Sequence, residues 1–140
     1  MDVYDSNNIF AKILRGEIPA HKVYEDETTL AFMDVMPRAD GHVLVIPKAQ
    51  ARNILDVAPD VLADLMVKTQ RVAIAVKTAM NADGLSIQQY SESAGGQIVF
   101  HLHVHIMPRY HGVELRPHAE IMAEHPVLAA QAESIRMAFA

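Results

Sequence analysis

The sequence predicts an α+β fold: a mostly antiparallel five-stranded sheet with one long central helix, a short N-terminal helix and a C-terminal helix. Three observations predict it. Short apolar, β-branched runs are separated by local turns, which favours hairpins and antiparallel pairing. A single long stretch, starting near Pro59, repeats its apolar residues at helical spacing. The chain has 140 residues, 51% of them apolar and 21% charged, the size and composition of one globular domain with a real core.

Ile9, Phe10, Ile13 and Leu14 form one apolar face of a short helix that Asn7-Asn8 can cap. Gly16 suits its C-terminal end, and Pro19 blocks continuation. Lys22–Glu25 and Thr29–Met33 read as strands joined by the polar turn Asp26-Glu27-Thr28. After the loop Pro37–Gly41, His42–Ile46 is a β-branched strand that Pro47 stops. The long helix runs from Pro59-Asp60 to about Asn81, with Leu62, Leu65, Met66, Thr69, Val72, Ala73 and Val76 at helical spacing. Leu85–Tyr90 is a fourth strand, Ser91–Gly96 a small-residue loop, and Ile98–Met107 a last strand closed by Pro108. Pro126-Val127-Leu128 opens a terminal helix that reaches Phe139. No linker or repeat divides residues 1–140. The expectation is a single domain with its core at about 8–110 and a C-terminal extension over 111–140.

Composition removes several classes of function. The chain has no cysteine, so it has no disulfide framework, thiol nucleophile or Cys-ligated metal. Lys+Arg 12 against Asp+Glu 17 leaves a net charge of −5, which argues against a nucleic-acid partner. No apolar run is long enough for a membrane span, and the N-terminal residues lack a signal-peptide pattern. A cytoplasmic protein with no membrane partner is the expectation.

The unusual feature is histidine. There are 8, and three lie in Phe100-His101-Leu102-His103-Val104-His105-Ile106-Met107. Alternation along a strand puts His101, His103 and His105 on one face and Leu102, Val104 and Ile106 on the other, the core face. Same-face neighbours stand about 6.6–6.8 Å apart, wide enough for a phosphorus centre between two rings. The histidines could be the polar face of a half-buried strand. They could be metal ligands, although no nearby carboxylate completes the set, Glu114 lying past Pro108. They could act as nucleophile and acid–base groups. The Gly-rich Ser93-Ala94-Gly95-Gly96-Gln97 loop feeding into them favours the last, because glycine lets backbone N–H groups approach an anion and Gln97 offers an amide donor. Arg109 could steer a second phosphate. His21, His111, His118 and His125 read as solvated, without functional assignment.

The segment His101–Met107 resembles the histidine triad (HIT) signature His-φ-His-φ-His-φ-φ, where φ is apolar. The resemblance extends over about residues 8–110, in order: Asn8–Ile13 with Gly16–Ala20, Ala31–Val35, Gly41–Lys48, and Ala94–Gln97 before the triad. It is closest to the Hint-like branch of nucleoside phosphoramidases and nucleotide hydrolases. It implies a cofactor-independent hydrolase acting on a purine nucleotide conjugate: an AMP-amine, an acyl-AMP or a dinucleoside polyphosphate. In that scheme His103 attacks the α-phosphorus to give a nucleotidyl-histidine, His105 faces the phosphate and assists the leaving group, and His101 and His42 orient them. Asp34 binds the ribose hydroxyls. Ile9, Phe10, Ile13, Phe32, Val35 and Leu44 surround the base. Gln97 and the Ile98 backbone N–H serve the phosphate, and a further phosphate-side group falls on Gln89 or Tyr90.

Two departures matter. Some relatives hold a structural zinc at positions that here are Asn8, Ala11, Gln50 and His101, so no metal is expected. Ile98 stands where a hydroxyl residue is common. The resemblance also implies a homodimer paired through the long helix and a sheet edge, and Val61, Leu62, Leu65, Met66, Val72, Ile74 and Val76 spread around that helix. Two other readings remain open: a nucleotide-binding sensor or scaffold with little turnover, and a His-ligated metalloenzyme.

Overall fold

Asn8 starts the first helix as a cap residue should: its Oδ1 accepts the Ala11 N–H at 2.9 Å, satisfying one of the first-turn donors. In the computed structural model, which describes residues 2–139, the elements follow in chain order. They are α1 (Ile9–Leu14), β1 (Lys22–Glu25), β2 (Thr29–Met33), β3 (Val43–Pro47), α2 (Pro59–Ala79), β4 (Gly84–Gln88), β5 (Val104–Arg109) and α3 (His125–Met137). A 3₁₀ turn spans Ser93–Gly95. The sheet order is β1-β2-β3-β5-β4, every pair antiparallel. The α+β class and the five-stranded sheet are those the sequence predicts. No described helix is long and apolar enough to cross a membrane.

Strand alternation divides the sheet into two working faces. Ala31 and Met33 of β2, Val43 and Val45 of β3, and Val104 and Ile106 of β5 join the main core. Leu65, Val72 and Val76 of α2 and Leu128, Ala132 and Ile135 of α3 pack into the same core. The other face carries Leu30, Phe32, Leu44 and Ile46, which form a smaller cluster with Phe10 and Ile13 of α1. The histidines lie on that second face. The C-terminal helix therefore helps build the floor under the site without touching its mouth.

The last strand differs from expectation. It begins at Val104, not Ile98, and continues through Pro108 to Arg109. Leu102 N–H is drawn off to the Ala51 carbonyl at 2.8 Å, so the chain before Val104 does not pair in the sheet. Leu102 still points into the main core beside Val104 and Ile106. Pro108 is tolerated because β3 pairing ends at Val43 opposite Ile106, so no ladder bond is lost on that side. Gly41 is required just before β3. Its φ is +82°, and a Cβ there would meet Met80 Cγ at 2.5 Å.

Candidate active site

Two chains of hydrogen bonds set the tautomers of four buried histidines. The first begins in the β2–β3 loop, where the Arg38 backbone N–H donates to His42 Nδ1 at 2.9 Å. A ring nitrogen that accepts carries no proton, so neutral His42 is protonated at Nε2. His42 Nε2–H then donates to His105 Nδ1 at 2.9 Å. His105 consequently holds its proton on Nε2, which is buried and has no partner among the described residues. A buried polar atom without a partner costs free energy unless something else satisfies it. His105 lines the pocket, so this donor is placed for a bound molecule.

The second chain begins in the N-terminal segment. His101 Nε2–H donates to the Pro47 carbonyl at 2.8 Å, which leaves its Nδ1 as an acceptor for the Tyr4 hydroxyl at 2.6 Å. Burial raises the Tyr4 phenol above its ordinary value, so it keeps its proton. Tyr4 Oη in turn accepts from Asn8 Nδ2 at 3.0 Å. The His101 carbonyl accepts from His103 Nδ1–H at 2.6 Å. The free lone pair of His103 is therefore on Nε2. The two inner rings meet edge-on with centroids 5.0 Å apart, nearer than the backbone spacing alone suggests, and Phe10 packs on His103 at 4.9 Å.

Burial governs the charges. It pushes His103 down to about 4, His42 down to about 3, and His105 lower still. All three are uncharged at neutral pH. Asp34 moves the other way: burial lifts its carboxyl to about 6, although the Met36 N–H at 2.8 Å opposes this.

These shifts predict acid lability. A histidine whose folded value lies below its ordinary 6.5 contributes stability fully above 6.5, and loses it as pH falls toward the folded value. Asp34, raised above 3.8, contributes most below 3.8 and loses that as pH rises through about 6. Three histidines outweigh one carboxyl. Stability therefore falls from pH 7 to pH 4.5, by about 1.4 kcal/mol per pH unit for each fully engaged histidine, and the thermal unfolding midpoint falls with it. Thermal melts across that range check this, and an unchanged midpoint would contradict it.

The pocket beside these rings has a cavity volume of about 280 Å³. Of the residues expected at a nucleotide site, Ile9, Phe10, Ile13, Phe32, Asp34, Val35, Leu44, Ile98, His103 and His105 line it. His42 and His101 stand behind the wall and act on it through their hydrogen bonds. Tyr90 approaches His105 at 5.2 Å, whereas Gln89 accepts from Ser91 Oγ.

Two expectations need correction. The Gln97 amide is not free for a phosphate. Its Nε2 donates to the Arg52 and Val99 carbonyls at 2.7 and 3.0 Å, and its Oε1 accepts from Glu92 N–H and Asn53 Nδ2. Gln97 instead shapes the loop, with Glu92 held at a positive φ of 65° by an Arg52 fork at 2.8 and 3.1 Å. Arg109 is turned away: it donates to Ser86 Oγ at 3.1 Å and lines a different cleft. The residue missed was His118. It lines the pocket, with its ring 6.0 Å from His105 and 5.6 Å from Tyr90. Nothing in its local sequence signals this. Tyr4 was missed as well. It lies four residues before Asn8, and asking what partners His101 in place of a metal could have found it.

Neither candidate metal set fits well. At the positions implied for a structural zinc, Ala11 has no donor atom, the Asn8 amide is engaged, and both His101 nitrogens are taken. Asp34, His42 and His105 bring possible ligand atoms within 4.8 Å of one another. His42, however, has no free lone pair there, because Nδ1 accepts from Arg38 and Nε2 bears the proton.

The HIT domain family model matches residues 15–112. A HIT-like protein from Bartonella henselae, described as involved in cell-cycle regulation, is 47% identical with a TM-score of 0.92, covering 97% of this chain and 99% of its own. A hypothetical histidine triad nucleotide-binding protein from Sulfolobus tokodaii is 34% identical with a TM-score of 0.85, covering 93% of this chain and 90% of its own. The adenylylsulfatase HINT3 of Arabidopsis thaliana is 37% identical over 101 residues, 72% of this chain and 51% of that protein. With the triad, the sheet and these likenesses in agreement, the chain belongs to the HIT domain family.

Proposed function

We propose that the protein is a nucleotide hydrolase of the phosphoramidase type. It cleaves the α-phosphate bond of a purine nucleotide conjugate through a nucleotidyl-histidine on His103. The observation that carries this reading is the opposite protonation of neighbouring imidazoles: a lone pair on His103 Nε2 and a hydrogen on His105 Nε2. His103 Nε2 attacks phosphorus and the bond to the leaving group breaks. His105 Nε2–H hydrogen-bonds the departing side, where negative charge grows, and an amine leaving group takes up a proton from solvent as it departs, balanced by the proton that water releases when it hydrolyses the intermediate. Water then attacks phosphorus, the N–P bond breaks, and the nucleoside monophosphate leaves. Asp34 accepts from the ribose hydroxyls, the Ile98 backbone N–H meets the phosphate, and the base lies among Ile9, Phe10, Ile13, Phe32, Val35 and Leu44. Relatives named as a nucleotide-binding protein and as an adenylylsulfatase support the substrate class.

Turnover of an AMP-amine conjugate, with and without a chelator, tests the proposal. Chelator-resistant release of AMP supports it. Binding without turnover would mean a sensor or scaffold, and chelator-sensitive turnover a metalloenzyme.

The same reading includes a homodimer. Met66, Val67 and Ile74 are exposed on α2, at 43%, 49% and 63%, and β4 with Ile87 forms a sheet edge paired only to β5. An exposed apolar helix face beside an open edge invites a second copy. Light scattering at micromolar concentration should give twice the 15.5 kDa chain mass, and a monomeric mass refutes it.

A further inference from the structure

We infer that His118 recognises the leaving group and selects conjugates whose leaving group is an anion, such as phosphate or sulfate, over those that release a neutral amine. This rests on the reading that a nucleotide fills the pocket. The segment carrying His118 is a strap tied down on both sides. Arg116 N–H donates to the Arg38 carbonyl at 2.8 Å, and Arg38 Nε donates back to the Arg116 carbonyl at 2.9 Å. At the other end Ala123 N–H donates to the Val35 carbonyl at 2.8 Å. Both anchors lie in the loop that runs from Asp34 to His42. Between them Ala119 takes a φ of +52°, a conformation alanine rarely adopts, so the strap's path is imposed by its surroundings. His118 and Ala119 line the pocket, and the His118 ring meets His105 edge-on at 6.0 Å.

Charge then gives His118 its task. Among the described residues no lysine or arginine lines the pocket. The ionisable lining groups are Asp34, His103, His105 and His118, and burial holds the two triad rings uncharged. His118 is the exposed one among them; partial burial and the Arg38 charge lower its pKa, and an anion arriving beside its ring favours the protonated form. Tyr90, Arg38 and the His42, His103 and His105 rings are the groups around it. In the proposed attack from His103, with His105 facing the leaving group, the His118 ring 6.0 Å from His105 stands on the departing side.

The test compares kcat/KM for adenosine 5′-phosphosulfate and for an AMP-amine conjugate. His118→Ala should lower the sulfate-to-amine ratio tenfold or more, the scale of one charge-assisted hydrogen bond, and His118→Arg should restore it. An unchanged ratio in His118→Ala, or no recovery in His118→Arg, overturns the inference. Binding supplies a second measure: the affinity gained from AMP to ADP should shrink in His118→Ala, and an equal gain would also overturn it. If the unaltered protein turns over neither conjugate yet prefers ADP in a His118-dependent way, the hydrolase reading fails and this one stands. If it binds neither nucleotide, both fall.

Discussion

His103→Ala should lower kcat by about 10⁴-fold or more, the scale seen when a nucleophile is removed from a constellation that acts as a unit. The reason is local and specific. His103 offers an unprotonated Nε2 because its Nδ1–H is held by the His101 carbonyl at 2.6 Å, and burial keeps the ring uncharged down to about pH 4. No neighbour can replace it. His105 presents a proton rather than a lone pair, and both His101 nitrogens are engaged. Nucleotide binding should survive, since the base and ribose contacts we propose lie on Phe32, Asp34 and their neighbours. Enzyme quenched in acid during turnover of a slow substrate should carry an acid-labile nucleotidyl adduct on His103. An adduct mapped to His101 or His105, or near-normal kcat in the variant, removes the assignment.

His105→Ala should cost about 10²–10³ in kcat, the scale of losing one donor aimed at developing charge. Its Nε2–H is buried and unpartnered among the described residues, so nothing in the protein competes for it. The loss should be smaller for conjugates with good leaving groups, because these need less stabilisation as they depart. A series of AMP conjugates graded by leaving-group pKa reads this directly: the variant's rate should depend more steeply on that pKa. Equal slopes in both proteins would show that His105 serves the non-departing oxygens instead. His42 acts one bond further back, by holding His105 in the tautomer that presents the proton.

Much of this architecture is determined locally, and the sequence displays it. The helix at Ile9–Leu14 and the strands at Lys22–Glu25 and Thr29–Met33 fall where cap, turn and period-two patterns put them, since each depends on residues a few positions apart. The facing of the histidines is equally legible: Leu102, Val104 and Ile106 must be buried, so their neighbours turn the other way. Tertiary structure decided what depends on distant partners. The last strand begins at Val104 because Ala51 captures Leu102 and the Arg52–Asn53–Glu92–Gln97 network bends the chain before it. The tautomers of His101 and His105 depend on partners far along the chain, Tyr4 and Pro47 for the first and His42 for the second. His118 reaches the pocket only because two backbone tethers carry its strap across the Asp34–His42 loop. A sequence specifies which side chains are available and which face they take. Which proton each nitrogen holds is decided by the nearest donor or acceptor, and folding alone brings that atom within about 3 Å.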